Sequence, residues 1–582
     1  MKKKLMKPVI ISIAAALLLT ACGSRQATPD QASGPAAAGQ SASGAAAEVV
    51  IDQNSTVQVI DAADPSKNPE KAKSRTDTFV AAISAPGGVF LPYFYDNGWD
   101  GNATEPIFAS LVTLDKEGKP VPSLAENWEV SPDQLKYTFH LRKDLKFSDG
   151  SPLTADDVAF TLTLLHDPAY AGYIDITRAF IKGGKAYKEG TADSIEGIKI
   201  IDPLTVEITT EKVNSQTLTL LGGAVLPKAY YGSKYQRGKL DYLKDLYPKP
   251  LGAGPFVFES YVPDQEIRYV ANANYYAGKP KAERLIFKVT TNETKFQLFQ
   301  AGETDYDGFT PPSNDMVEQL KELGFANIRI STVNSYGFVY INNKKPYLKD
   351  KLVRQALIYG LDRQKFVTAK FKEFGRVANV PTSPLSWAYT EEGINKYEFS
   401  TEKANGLLDQ AGWKPGSDGI REKDGQKLKI SYLTRTKDDE FIPIAQENYK
   451  ELGIELNPEV MDFNALVAKL NDGSYDLAAV STSILTDPND AVEEFSSNHP
   501  ANAAGYSNPN VDRLLLESVS TTDVEKRKAV YKELFKELTD DPPVILLNYR
   551  KSIAAYNSRI QGFEIDGYTG ITASLPNVSI RP

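Results

Sequence analysis

The only cysteine in this 582-residue chain is Cys22, and it closes an apolar run at the N-terminus instead of sitting in the body of the sequence. Lys2, Lys3, Lys4 and Lys7 lead into the run, and Val9 to Leu19 form a stretch long enough for the core of a secretory signal but too short to span a bilayer. Residues 1–21 are therefore predicted to be removed. The rest of the chain must fold without disulfides or thiol chemistry, so buried apolar surface and hydrogen bonds have to hold it together.

Leu19-Thr20-Ala21-Cys22 with Gly23 resembles a bacterial lipobox, in which cleavage frees the Cys22 amine and the thiol carries diacylglycerol. Two acyl chains hold a protein firmly at a membrane, whereas one is marginal. An ordinary secretory signal with an incidental cysteine is the alternative. Residues 22–75 are read as a tether, since 23–47 are rich in Gly, Ala, Ser and Gln and cannot bury enough apolar surface to offset the entropy of ordering. The expected location is the extracytoplasmic face of the cell membrane, held by the lipid.

The remaining body of about 500 residues exceeds what one core organises, so at least two lobes are expected. A net charge of -9 and a pI near 5.3 argue against nucleic acid as a partner, because phosphate binding needs a basic face. Thirty tyrosines suit a wet recognition surface, although the rims of β-sheets account for most of them.

Trp128–Val130 and Tyr137–Leu141 flank Ser131-Pro132-Asp133 as a hairpin. Thr154, Asp156 and Asp157 open a capped helix. Val353, Leu357 and Leu361 share one helix face, and Thr522-Asp523-Val524-Glu525 reads as a capping box. Val544–Leu547, after Asp541-Pro542-Pro543, reads as a buried strand. Strands and helices alternate without a short repeat, which predicts an α/β fold with several lobes.

Catalytic and metal signatures are sparse. His140, His166 and His499 lie far apart with no HExxH spacing, and Gly252-Ala253-Gly254 lacks the rest of a nucleotide fingerprint. Asp96 to Asn102 resembles a calcium loop until its twelfth position, which is Ile107 and not Glu, so it is read as a tight turn presenting Trp99. No enzyme, cofactor or metal site is expected.

Five landmarks occur in order: Leu124–Val130 through Tyr137–Arg142 to Phe147–Val158; Gly252–Phe256 with Asn274-Tyr275-Tyr276; Val353–Leu357 with Gly360–Arg363; Leu407–Trp413; and Tyr506–Pro509 with Val511-Asp512. Together they resemble the oligopeptide-binding proteins of ABC importers, the family 5 extracellular solute-binding proteins. The resemblance implies a two-lobed α/β fold that closes by a hinge on its ligand. It implies first-lobe segments at 76–110, 216–333 and 549–582, an inserted domain at 111–215, and a second lobe at 334–548. Crossing strands are expected at Ser335–Asn343 and near Ile545–Tyr549. A monomer is implied, with an oligopeptide as ligand and a membrane-embedded ABC permease as partner. Relatives that bind nickel complexes, oligosaccharides or signalling peptides keep another cargo open.

The resemblance also implies ligand-binding residues. Ser483 and Leu485 belong to a segment that runs beside the peptide, and Asp487 matches the aspartate that binds its α-amino group, a charge-assisted hydrogen bond of about 1.5–3 kcal/mol. Otherwise Asp487 simply starts a turn before Pro488. The aromatic residue that the family places before this aspartate is missing, with Ile484 and Leu485 in its neighbourhood. Gly87, Gly88 and Phe90 lie in a loop that resembles the one offering main-chain groups to the ligand, with a plain loop the alternative. Trp387, Tyr389 and Tyr336 complete the set as aromatic candidates, with packing under a loop the alternative for the first two.

Overall fold

The strand Val544–Asn557 is fourteen residues long and belongs to two halves of one sheet. Its first half pairs antiparallel with Gly337–Ile341 and with Gly375–Val377, and its second half with Tyr306–Phe309 and Ala326–Thr332. This computed structural model describes residues 50–95, 97–481, 486–499 and 501–581. The signal segment 1–21, tether residues 22–49 with Cys22, and Ser483 and Leu485 lie outside the described residues. Val49–Pro582 form one compact unit.

From one edge to the other, the main sheet runs Glu455–Val460, Lys429–Thr434, Leu477–Ser481, Gly337–Ile341, Val544–Asn557, Tyr306–Phe309, Thr78–Ile83, Arg284–Val289, Glu266–Ala271 and Phe256–Val262. Around Gly337–Ile341 both faces are buried. Val339 and Ile341 enter one core with Ile545 and Leu547, while Phe338 and Tyr340 enter another with Val544, Leu546 and Tyr549. This two-sided burial explains the unbroken apolar run at Val544–Leu547, as strands covered by helices on both faces do not alternate with polar residues. The helix Lys351–Tyr359 buries Val353, Ala356 and Leu357 in the first of these cores.

A separate four-stranded antiparallel sheet joins Ala125–Val130, Lys136–Leu141, Thr205–Thr209 and Ile198–Asp202. The expected hairpin is its first pair, with Trp128 opposite Phe139. The helix Ala155–Leu165 comes next in the chain, and Asp157 accepts the backbone N–H of Thr154 at 2.9 Å and that of Lys228 at 2.8 Å.

Two local expectations are corrected. Residues around Trp99 form the helix Gly98–Thr104 instead of a turn, because the Asn97 side chain accepts the N–H groups of Trp99 and Asp100 and so starts it. The helix Val524–Asp540 is capped by Asp523, one residue later than the Thr522 box, with its carboxylate on the N–H groups of Glu525 and Lys526. Among the described residues no helix is long and apolar enough to cross a membrane.

Candidate functional site

A cavity of about 630 Å³ is walled by residues of the stretches 92–95, 101–113, 173–178, 216–224, 275–276, 486–490 and 568–576. Its position follows from local geometry at the end of the helix Gly98–Thr104. Asp100 is fully buried and accepts the N–H groups of Gly88 at 2.7 Å and Val89 at 3.2 Å, which fixes the preceding loop. Just beyond the helix, the N–H of Gly254 donates to the Ile107 carbonyl at 2.8 Å and that of Phe256 to the Pro106 carbonyl at 2.9 Å. A Cβ on Gly254 would lie 2.5 Å from the Pro106 carbonyl oxygen, so only glycine permits this approach. Glu105 is held between the helix and this clamp.

The Glu105 carboxylate faces the cavity, where the Thr572 hydroxyl donates to it. Desolvation by the surrounding protein raises its pKa to about 7 although the residue keeps contact with solvent, and the Thr572 hydrogen bond opposes part of the shift. Tyr95 and Tyr173 stack at 4.9 Å nearby with their hydroxyls 2.7 Å apart, and Tyr173 is 55% exposed. Tyr275, Tyr276 and Tyr568 add three more rings to the wall.

The charged groups at 486–490 are internally matched. Asp490 accepts the N–H of Asp487 at 2.9 Å and the N–H and hydroxyl of Thr486 at 3.1 and 2.7 Å, and its other oxygen accepts Gln216 Nε2 at 2.7 Å. Gln216 also accepts from Arg178, whose guanidinium forks onto Glu493. Asp487 lines the cavity and caps the turn at Pro488–Ala491, as the turn alternative has it. Its two carboxylate oxygens lie 2.7 and 2.9 Å from Arg527 Nη2. The Arg527 side chain is 6% exposed and that of Asp487 18%.

Of the ligand residues expected from the sequence, Asp487 alone is among the cavity's described lining. Trp387 lies under the Arg527 guanidinium, 4.9 Å from its ring centroid, and so packs behind Asp487. Tyr389 donates to Glu391 at 2.6 Å and packs edge-on against Tyr549. Tyr336 is buried and donates to the Ala491 carbonyl at 2.7 Å, supporting the Asp487 turn from below. Phe90 is fully buried against Tyr261, whose hydroxyl donates to the Pro86 carbonyl at 2.7 Å. Gly88 has a φ of +95°, and its N–H is taken by Asp100. Gly87 packs against the same carboxylate. Sequence reasoning missed Glu105, Tyr95, Tyr173 and Arg178 as site residues. Besides Asp487, Pro255, Tyr275 and Tyr276 carry a signal in the sequence, as part of the second landmark.

The family model described as "Bacterial extracellular solute-binding proteins, family 5 Middle" matches residues 119–503, more than half of the chain. Oligopeptide-binding protein AppA of Bacillus subtilis (strain 168) is 29% identical over 511 residues, covering 86% of this chain and 90% of that protein. Heme-binding protein A of Haemophilus influenzae is 28% identical over 543 residues, covering 88% and 97%. The structure of AppA from Bacillus subtilis in complex with a nonapeptide superposes with a TM-score of 0.70 at 25% identity, covering 87% of this chain and 99% of that one. The fold is thus the two-lobed one of these proteins, and the chain belongs to the bacterial extracellular solute-binding proteins of family 5.

Proposed function

We propose that this protein captures oligopeptides in the cavity beside Glu105 and Asp487 and delivers them to an ABC importer. In this reading the lipid on Cys22 keeps it at the extracytoplasmic face of the membrane, where a tether raises its effective concentration at the permease. It acts as a monomeric receptor without a catalytic step. The observation that carries the reading is the cavity itself. Its volume falls in the range of about 300–1,000 Å³ typical of ligand sites, and its lining mixes tyrosine rings with hydroxyl, amide and carboxylate groups. Such a lining can grip a peptide backbone through direct and water-mediated hydrogen bonds without fitting one side chain. Membership of a solute-binding family and the likeness to proteins named for oligopeptide binding support the choice of cargo.

Asp487 remains the candidate for the ligand's α-ammonium, with its carboxylate then shared between that group and Arg527. Calorimetry of the purified protein against a mixed peptide pool, free and N-acetylated, tests both statements. Saturable binding of the free pool with clear weakening on acetylation is expected. No heat from either pool would refute peptide capture, and equal binding of both pools would refute an ammonium anchor.

A further inference from the structure

We propose that Glu105 is the cavity's receptor for a cationic group of the ligand, an ammonium or a guanidinium; the proposal rests on the peptide-binding reading above. The charges around the cavity give the reason. Arg178 is committed to Glu493 and Gln216, and Asp487, the other candidate for a cation, already shares its carboxylate with Arg527. Asp490 is committed to Thr486, the Asp487 N–H and Gln216. Glu105 differs from these, since a single Thr572 hydroxyl is its hydrogen-bond partner and, among the described residues, no cation pairs with it.

The Glu105 side chain keeps contact with the water of the open cavity, and no positive charge of the described protein compensates its carboxylate. An arriving cation supplies the missing charge and gains a charge-assisted hydrogen bond, whereas a neutral ligand group leaves Glu105 as it was. The stacked Tyr95 and Tyr173 rings near it offer faces that favour a cation further. Glu105 is also well placed to discriminate, since the helix Gly98–Thr104 and the Gly254 clamp hold its backbone on both sides. The cation can come from the amino terminus of a peptide or from a lysine or arginine side chain.

The test compares the protein with its Glu105→Gln variant by calorimetry, after matched melting curves show that both are folded. The ligands are peptides of one length with a single lysine at each position in turn, prepared in three forms: unmodified, N-acetylated, and with norleucine for lysine. For the best unmodified binder, Glu105→Gln should weaken affinity about tenfold or more. If norleucine abolishes the difference between the two proteins, the cation is the side chain. If acetylation abolishes it, the cation is the amino terminus, and Glu105 takes the role considered for Asp487. Peptides that bind both proteins equally in all three forms would overturn the Glu105 assignment and leave peptide capture standing. A protein that binds none of the peptides would overturn both.

Discussion

The Arg178 guanidinium and the Glu493 carboxylate meet through two hydrogen bonds across 315 residues of sequence. Arg178 is itself part of the cavity wall, and Gln216 beside it reaches Asp490 on the same opposing segment. These contacts clasp the stretch 178–216 to the stretch 490–493. Burial nevertheless leaves the Glu493 carboxyl above its ordinary pKa, so Arg178 offsets only part of the desolvation.

Arg178→Met is therefore expected to speed ligand release, because it removes the clasp and leaves Glu493 half-buried without its partner. Adding Glu493→Met should recover part of the lost stability. A double-mutant cycle by urea unfolding should give a coupling of about 1 kcal/mol, as suits a pair that is not fully buried. Strict additivity would show that the clasp contributes nothing.

Asp487→Ala is expected to destabilise the fold by about 3 kcal/mol or more, since it strands the buried Arg527 charge. Arg527→Met in the Asp487→Ala background should restore most of that loss. Chemical denaturation of the four proteins measures both effects, and any affinity change in Asp487 variants has to be read against them.

Glu494 predicts a pH dependence of stability. It accepts from the Tyr340 hydroxyl, and burial raises its pKa from 4.5 to about 7. The folded protein thus holds this proton more tightly than the unfolded chain, so its contribution is full below pH 4.5 and is lost as pH rises through about 7. Glu105, raised to about 7, acts in the same direction. His166 acts oppositely: it is buried with its pKa lowered to about 4, so stability is lost as pH falls from 6.5 through that value. Glu494→Gln should flatten the decline between about pH 5 and pH 7.5 in melting-temperature profiles, and an unchanged slope would contradict the assignment.

Gly254→Ala is expected to cost about 1–3 kcal/mol, because its Cβ would press on the backbone of Pro106 and Ile107 and shift Glu105 with it. Gly406→Ala is the counterpart. Gly406 lies inside the helix Thr401–Gln410 with open space where an alanine methyl would sit, so a gain of about 0.5–1 kcal/mol is expected. Thermal unfolding of the two variants distinguishes the signs.

The parts of the fold legible in sequence are those set by near neighbours or by recurring packing. The hairpin around Ser131 follows from alternation, and the Val353 helix from its apolar stripe. The landmark residues also have a common physical reason. Arg354 donates to the carbonyls of Pro542, Leu348 and Lys349, and Arg363 to those of Ala378 and Leu546. Asn508 caps the helix Pro509–Val519 while reaching Glu537 and Asp541. These residues tie backbone together, so the motifs report architecture and not cargo.

The cavity is far less legible, because its wall is assembled from stretches whose proximity no local pattern encodes. Asp487 can be reached through a motif, yet its partner Arg527 lies 40 residues away on a helix. Trp387 reads in the sequence as either a cleft aromatic or packing under a loop, and only the structure shows that it carries that arginine. Glu105 stands at a helix end with no sequence signal, and its environment becomes visible only when Thr572, 467 residues later, is brought beside it.

The most direct measurement is native mass spectrometry of the protein purified gently from its host, with release and sequencing of whatever it carries. Peptides released at one per protein molecule, enriched in those with a free cationic group, are the expected result. A glycan, a haem or a metal chelate as the sole bound species would contradict peptide capture.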